Sequence, residues 1–394
     1  LPWQRFIKSL TFIQENINAV AFLSVFLLLI IWQPEVTPFV RFNYEMAFSW
    51  VALVSISFWM ASRFNLWIGL FMLLATWSAS FPVNSQFSNK AQMLLFQGVL
   101  MVWIGTRILN NDRIRSWALN IICIITLVHV YYLVCQWLFG FHPSEAVPIK
   151  YKFQPLDASP AVGIVSNYNE AAALLAIGSM AFFRPFWKWF LIPIIILFAA
   201  PHSFGGPLTF VIGSITGYYL VKPKIRNIKY HPLWMMYLLV VVGTGLSIYW
   251  MLIDPPDFGW RLNTWKLGIS ELSKDRWLFG CGIGHWKVVM LREDFARWIT
   301  GQNFYWMSHA HNEYVQALVQ MGVFSIVLFV GFILETSLRI TRRHPLPVMA
   351  FVTMLSYAFI YHIFHNGIIA GVCILWLSLL LGTIKPSQLL IQKR

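Results

Sequence analysis

The chain has 394 residues, of which 58% are hydrophobic and only 11% charged, and its formal net charge is +14. A soluble globular chain is about one quarter charged, so this composition excludes an ordinary cytosolic enzyme, a disordered protein and a fibrous one. The charge does not point to nucleic acid either, because the cations sit at the ends of apolar runs rather than in a basic stripe with interleaved aromatics.

The apolar residues fall in long uninterrupted runs, the mark of helices that cross lipid. In chain order the expected spans are 17–32, 46–61, 64–79, 91–107, 116–139, 170–183, 187–200, 206–221, 233–252, 313–336, 346–363 and 367–384. Several are shorter than the roughly 18 residues that cross a bilayer upright, so tilt or local thinning has to cover the mismatch. Arg5 and Lys8 precede the first run and no small-residue cleavage site follows it, so that run reads as a retained span. The 20 Trp and 14 Tyr suit interfacial belts. Cys123, Cys135, Cys281 and Cys373 carry no metal spacing, and three of them lie in apolar runs, so no disulfide is expected.

Counting Lys and Arg by alternate loop sets the orientation. With the N-terminus inside, eighteen fall on the inner side and four on the outer, leaving aside the seven in the long segment 253–312. Both termini are then cytoplasmic, and the long loops 140–169 and 253–312 face the periplasm or exterior. The expected fold is an all-α polytopic membrane protein of about 12 transmembrane helices, with a helical periplasmic loop between the ninth and tenth. It divides into 1–252 (nine spans), 253–312 (the long loop) and 313–394 (three spans and a cytoplasmic tail).

The loop 253–312 holds 6 of the 15 acidic residues. Leu262, Trp265, Ile269 and Leu272 recur at helical spacing, which predicts an amphipathic helix on the membrane surface or capping the bundle. Gly280, Gly282 and Gly284 then predict a flexible turn. They are no dinucleotide fingerprint, since no strand precedes them; they suit a close backbone approach to another segment or to a ligand.

Five polar patterns carry candidate chemistry, and all fall on the outer side. The sharpest is Ser308–Gly322, where His309, His311, Asn312 and Glu313 stand at the start of the tenth span. A helix cap by Asn312 or Ser308 explains part of it; a histidine at the bundle mouth, able to exchange a proton near neutral pH, is the other reading. Arg261 lies between Trp260 and Trp265 ahead of the glycines. Asn167 and Asn169 precede the sixth span, His202 and Ser203 the eighth, and His362 and His365 lie between the last two. No His-x-x-His with a carboxylate partner and no nucleophile elbow occurs, so neither a metal site nor a serine triad is expected.

Taken together, Arg261 near Trp265, the alternating glycines at 280–284 and His311-Asn312-Glu313-Tyr314-x-Gln316-x-Leu318-x-Gln320-x-Gly322 resemble the O-antigen ligase and O-antigen polymerase superfamily. A weaker match covers Gly163 to Ala173, with Asn167-Tyr168-Asn169 where the family has Asn-Pro-Asn. The resemblance implies a GT-C-like, metal-independent glycosyltransferase without cofactor. Such an enzyme moves a glycan from undecaprenyl pyrophosphate to a hydroxyl of lipid A core, a glycan or a protein, on the outer face of the bacterial inner membrane. Carried over, the catalytic residues are Arg261 and His311, with Arg276, Lys287, Asn312, Asn167, Asn169 and His309 as substrate-binding candidates. The family also has an arginine where this chain has Phe204, so either its phosphate role falls to another cation, Arg276 or Lys287, or the activity differs. The small-residue stretches Gly163–Gly178 and Gly205–Gly217 are expected to wall a groove for the lipid tail. A polymerase of the same superfamily is the alternative, and beyond it a 12-span transporter or flippase, or a scaffold subunit of a polysaccharide assembly. Against a transporter, the chain has no evident repeat of two halves and its polar residues gather outside.

Overall fold

A computed structural model describes residues 85–109, 111–139, 163–165, 168–184, 188–196, 203, 205–221, 255–272, 276–286, 288, 309–339, 345–364 and 367–383, with isolated positions between 13 and 24 and at 70 and 74. Among these residues the structure is helical throughout, with no strand. The helices are α1 (Ser85–Ile108), α2 (Asp112–Phe139), α3 (Tyr168–Ser179, extended by a 3-10 turn Met180–Phe183), α4 (Leu191–Ile196), α5 (Gly205–Val221), α6 (Pro255–Ser270), α7 (Glu313–Arg339), α8 (Pro345–Ala358) and α9 (Gly367–Thr383). The expected spans 46–61 and 233–252 lie outside the described residues.

The centre of the bundle is α3. Every residue from Glu170 to Ser179 is buried, and an alanine-rich helix lets its neighbours come close. Gly206 of α5 lies against Ala172, and Gly213 lies against Thr353 and Met349 of α8. On the far side, Trp376 of α9 donates to the Ile177 carbonyl at 3.1 Å, and Ser378 of α9 donates to the Val102 carbonyl of α1 at 3.3 Å. With all its faces covered, α3 is the core of the bundle and not the wall of a lipid groove; α5 keeps an exposed edge at Val211 and Ile215.

Polar contacts tie the two ends of the bundle. At one end, Arg184 donates to Asn120 and Ser116 of α2, Arg115 donates to the Leu109 carbonyl, and Gly382 lies near the Thr106 carbonyl. At the opposite end Gln136 both donates to and accepts from Gly163, while His129 bonds the Ile164 amide and the Ala171 carbonyl. Among the described residues, Arg115 and Arg184 thus lie at one end of the bundle, and the polar contacts of Gly163, Ile164 and Ala171 at the other.

Among the described residues, two helical stretches, Asp112–Gln136 and Glu313–Thr336, are long and apolar enough to cross a membrane, and four shorter apolar helices accompany them. Their outward faces are greasy. Ile124, Tyr131 and Leu138 recur along one side of α2, and Phe324, Val327, Val330 and Leu334 along one side of α7. An apolar stripe turned away from the core is the reverse of a soluble amphipathic helix, and it fits a helical membrane protein.

Three elements differ from the sequence reading. Helix α4 is only six residues long, preceded by a 3-10 turn at Lys188–Phe190, so the run 187–200 does not form one long helix in its described part. Helix α8 stops at Ala358, and 359–364 is turn rather than the end of a span. Helix α7 is broken at Gly322, which adopts φ 73° and ψ −174°. In an unbroken helix Val323 and Phe324 would donate to the carbonyls of Val319 and Gln320. Here they donate instead to the carbonyls of Trp277 and Leu278, while the freed carbonyls accept the amides of Cys281 and Gly282 at 2.9 Å. The glycine-rich segment is therefore pinned into the break rather than flexible. Gly280 lies directly on the backbone of Gln320 and Met321, and Gly322 on that of Leu278 and Phe279.

The backbone at Gly322 is open to glycine alone, and a Cβ there would meet the Leu278 carbonyl. Gly322→Ala is expected to cost about 2 kcal/mol or more, read as a lower thermal midpoint in detergent. Gly98→Ala, in mid-helix with its nearest neighbour at an ordinary 3.8 Å, is the control. It should be neutral or stabilising by up to about 1 kcal/mol.

Candidate functional site

The start of α7 is built by its own residues. Asn312 caps it, its Oδ1 accepting the amides of Tyr314 at 2.9 Å and Val315 at 3.0 Å, as the capping reading expects. Just before the cap, the chain turns through His311 in the left-handed conformation, φ 52°, a region that histidine and asparagine tolerate better than most side chains. The preceding Ala310 is held from both sides: its amide donates to Gln316 Oε1 at 3.0 Å, and its carbonyl accepts Trp265 Nε1–H of α6 at 2.7 Å. His309 and His311 flank this anchored residue. Trp286, Val319 and Val315 pack around Ala310 and Trp265, joining α6 to the head of α7.

Helix α6 turns an unexpected face inward. Its buried positions are Arg261, Thr264 and Gly268, whereas Ile269, expected on the apolar face, is exposed. The small Gly268 lets Trp286 lie against the helix. Arg261 is only 6% exposed, and its Nη1 donates to the Ile360 carbonyl at 2.9 Å. That carbonyl is reachable because α8 ends at Ala358, and the end of a helix, with its unpaired carbonyls and negative partial charge, is where a cation is stabilised.

The turn after α8 completes the cluster. The rings of Tyr361 and His362 stack at 3.9 Å between centroids, and His311 meets both, at 5.0 Å and 4.8 Å. His309 packs on His362 at 4.5 Å. On the other side, Tyr357 donates to the Asn169 carbonyl at 2.6 Å and Ser203 donates to Asn169 Oδ1 at 2.9 Å. The charges of Arg261 and Glu170 both act on Tyr357 and Tyr361, which puts the head of α3 in the same site. Glu313 accepts the Phe364 amide at 3.0 Å and clips the turn to α7.

Burial, and then the positive charge of Arg261, push the His311 imidazole down from 6.5 to about 3. Burial, and then Glu170, push the Tyr361 phenol up. At neutral pH the site therefore offers a cation, a neutral imidazole and a protonated phenol side by side.

Arg261, His311, His309, Asn312 and Asn169 thus come together from three segments distant in the chain. Arg276 does not join them: it is exposed and lies beside the Cys281 thiol. Cys281 pairs with Val319, about 12 Å along α7 from His311 at 1.5 Å rise per residue. Asn167 and Lys287 lie outside the described residues, as does Phe204. Sequence reading did not single out Glu170, Tyr357, Tyr361 or the Ile360 carbonyl. Only Glu170 carried a signal, as an acidic residue opening an otherwise apolar run. Among the described residues no group of three or more His, Cys, Asp or Glu side chains is arranged to hold a metal ion. Compared with known proteins, the chain matches no family model and no curated protein.

Because its protonation is disfavoured in the folded state, His311 takes up a proton less readily there than in the unfolded chain. Its contribution to stability is complete above the unfolded value near 6.5 and declines as the pH falls from there towards about 3. Histidine-labelled NMR should show no His311 inflection between about pH 5 and 8 in the unliganded protein, and one shifted upward in Arg261→Gln. An inflection near 6.5 in the unsubstituted protein contradicts this electrostatic picture.

Proposed function

We propose that the chain is an O-antigen-ligase-like glycosyltransferase that moves a glycan from an undecaprenyl-pyrophosphate donor to an acceptor hydroxyl, working at the end of the bundle that holds Arg261 and His311. The observation that carries this reading is the convergence of a buried guanidinium and a neutral imidazole at one site.

In this reading the acceptor oxygen attacks the anomeric carbon, the bond from that carbon to the diphosphate oxygen breaks, and the electron pair leaves with the diphosphate. Negative charge grows on the leaving group, and a guanidinium meets it without losing its own charge. The acceptor proton passes to the His311 imidazole. An imidazole whose pKa is depressed to about 3 is a weak base in the empty site. Arrival of a diphosphate offsets the charge of Arg261 and adds negative charge nearby, both of which raise the proton affinity of His311. The base is thus strengthened by the substrate it serves. A single displacement inverts the anomeric centre. Neutral Tyr361 and the Asn169–Ser203 pair supply further polar groups to sugar or phosphate oxygens. A lipid-borne donor fits the apolar outward faces of α2 and α7, and the cytoplasmic membrane with the site on its outer side fits the distribution of Lys and Arg. A polymerase of the same superfamily uses the same groups, with the growing glycan as acceptor.

The test is turnover of an undecaprenyl-pyrophosphate-linked glycan by protein in nanodiscs, with lipid A core, glycan and protein acceptors as separate arms. Arg261→Gln is expected to lower turnover by about 10²–10³. His311→Asn, which keeps a side chain suited to the left-handed backbone, should lower it by about 10²–10⁴. Unchanged turnover in both variants, with an active unsubstituted protein, removes these roles.

A further inference from the structure

We propose that the turn 276–279, though part of the long extramembrane segment, is a re-entrant anchor whose apolar tip is immersed in the acyl region of the leaflet nearest the site. Trp277, Leu278 and Phe279 are 50%, 49% and 39% exposed, a run of three large apolar side chains turned outward. Such a run is costly in water and comfortable in lipid.

Two independent features name lipid as the occupant. The first is continuity with the lipid-facing side of α7. Up to Gly322 no residue of α7 is exposed; beyond it Phe324, Val327, Val330 and Leu334 form the outward stripe. Phe279 packs on Phe324 at 5.2 Å, so the tip extends this stripe without interruption.

The second feature is the backbone. The turn pairs with α7 between Val319 and Phe324. Counted from Glu313 at 1.5 Å per residue, that is roughly 9–16 Å inside a helix long and apolar enough to span the membrane. Irregular chain at such depth is tolerated only where protein satisfies its polar groups. The break at Gly322 does this: the Trp277 and Leu278 carbonyls and the Cys281 and Gly282 amides are all bonded to α7, and the Gly280 amide to the Arg276 carbonyl. The anchor sets the depth of α6, which carries Arg261 fifteen residues before Arg276 in the sequence. It therefore holds the site at a constant height relative to lipid-borne molecules.

The proposal rests on the membrane-spanning reading of α7 and is independent of the transferase reading. In a Cys135→Ser background, whose remaining cysteines are buried, Leu278→Cys is labelled with an environment-sensitive fluorophore in the full chain and placed in phosphatidylcholine nanodiscs containing nitroxide lipids. Val327→Cys serves as the lipid-facing reference and Asn263→Cys, exposed on α6, as the aqueous one. The label at 278 is expected to lose emission to nitroxide lipids as the label at 327 does, and to resist aqueous iodide. Quenching by iodide as at 263, or by neither agent, overturns the proposal, the latter because protein would then cover the tip. Trp277→Cys repeats the measurement where Leu278→Cys does not fold.

Discussion

A guanidinium withdrawn from water needs oxygen atoms in fixed places, and much of this end of the bundle is arranged around that requirement for Arg261. The Ile360 carbonyl serves it because α8 terminates at Ala358 instead of running on through the apolar residues that follow. Early termination has further consequences: it frees 359–364 to turn, stacks Tyr361 on His362, and brings both rings to His311. The same charge then helps to keep His311 neutral. Burial is the larger cause of the neutral imidazole, and the one ionic group held at the end of a helix adds to it.

The second constraint is mechanical. Arg261 belongs to α6 and His311 to the head of α7, and 49 residues of chain separate them. They are joined through the Trp265–Ala310 bond and the apolar packing of Trp286, Val315 and Val319. Further along, the break at Gly322 and the segment 277–282 exchange backbone bonds. Such an exchange leaves few polar groups unsatisfied, and it locks the segment in register, since a shift by one residue would put a Cβ where Gly280 or Gly322 meets backbone. Within the described residues, the segment 277–282 and α7 are thereby joined backbone to backbone.

Composition and apolar runs made the helical, membrane-type architecture legible, because long uninterrupted apolar stretches have few other stable solutions. The gathering of Asn169, Ser203, His309, His311 and His362 at one end was foreshadowed by their common side in the Lys and Arg count. What stayed hidden depended on tertiary partners. The buried face of α6 is Arg261, Thr264 and Gly268, a polar and small stripe that hydrophobic periodicity assigns to solvent. The end of α8 was unreadable because Phe359, Ile360 and Ile363 continue the apolar pattern; what they lose in helix they regain by presenting a carbonyl to Arg261. The break at Gly322 could be suspected from a glycine, but its partner segment lies some forty residues upstream and no local signal pairs them.

The charge of Arg261 acts on the His311 imidazole, and a double-substitution cycle on glycan turnover tests that coupling most directly. Arg261→Gln, His311→Asn and the pair together are compared with the unsubstituted chain under identical donor and acceptor. If the two groups work as one unit, the double variant is little slower than the slower single variant. Losses that simply multiply would show that Arg261 and His311 act separately, and would contradict the account.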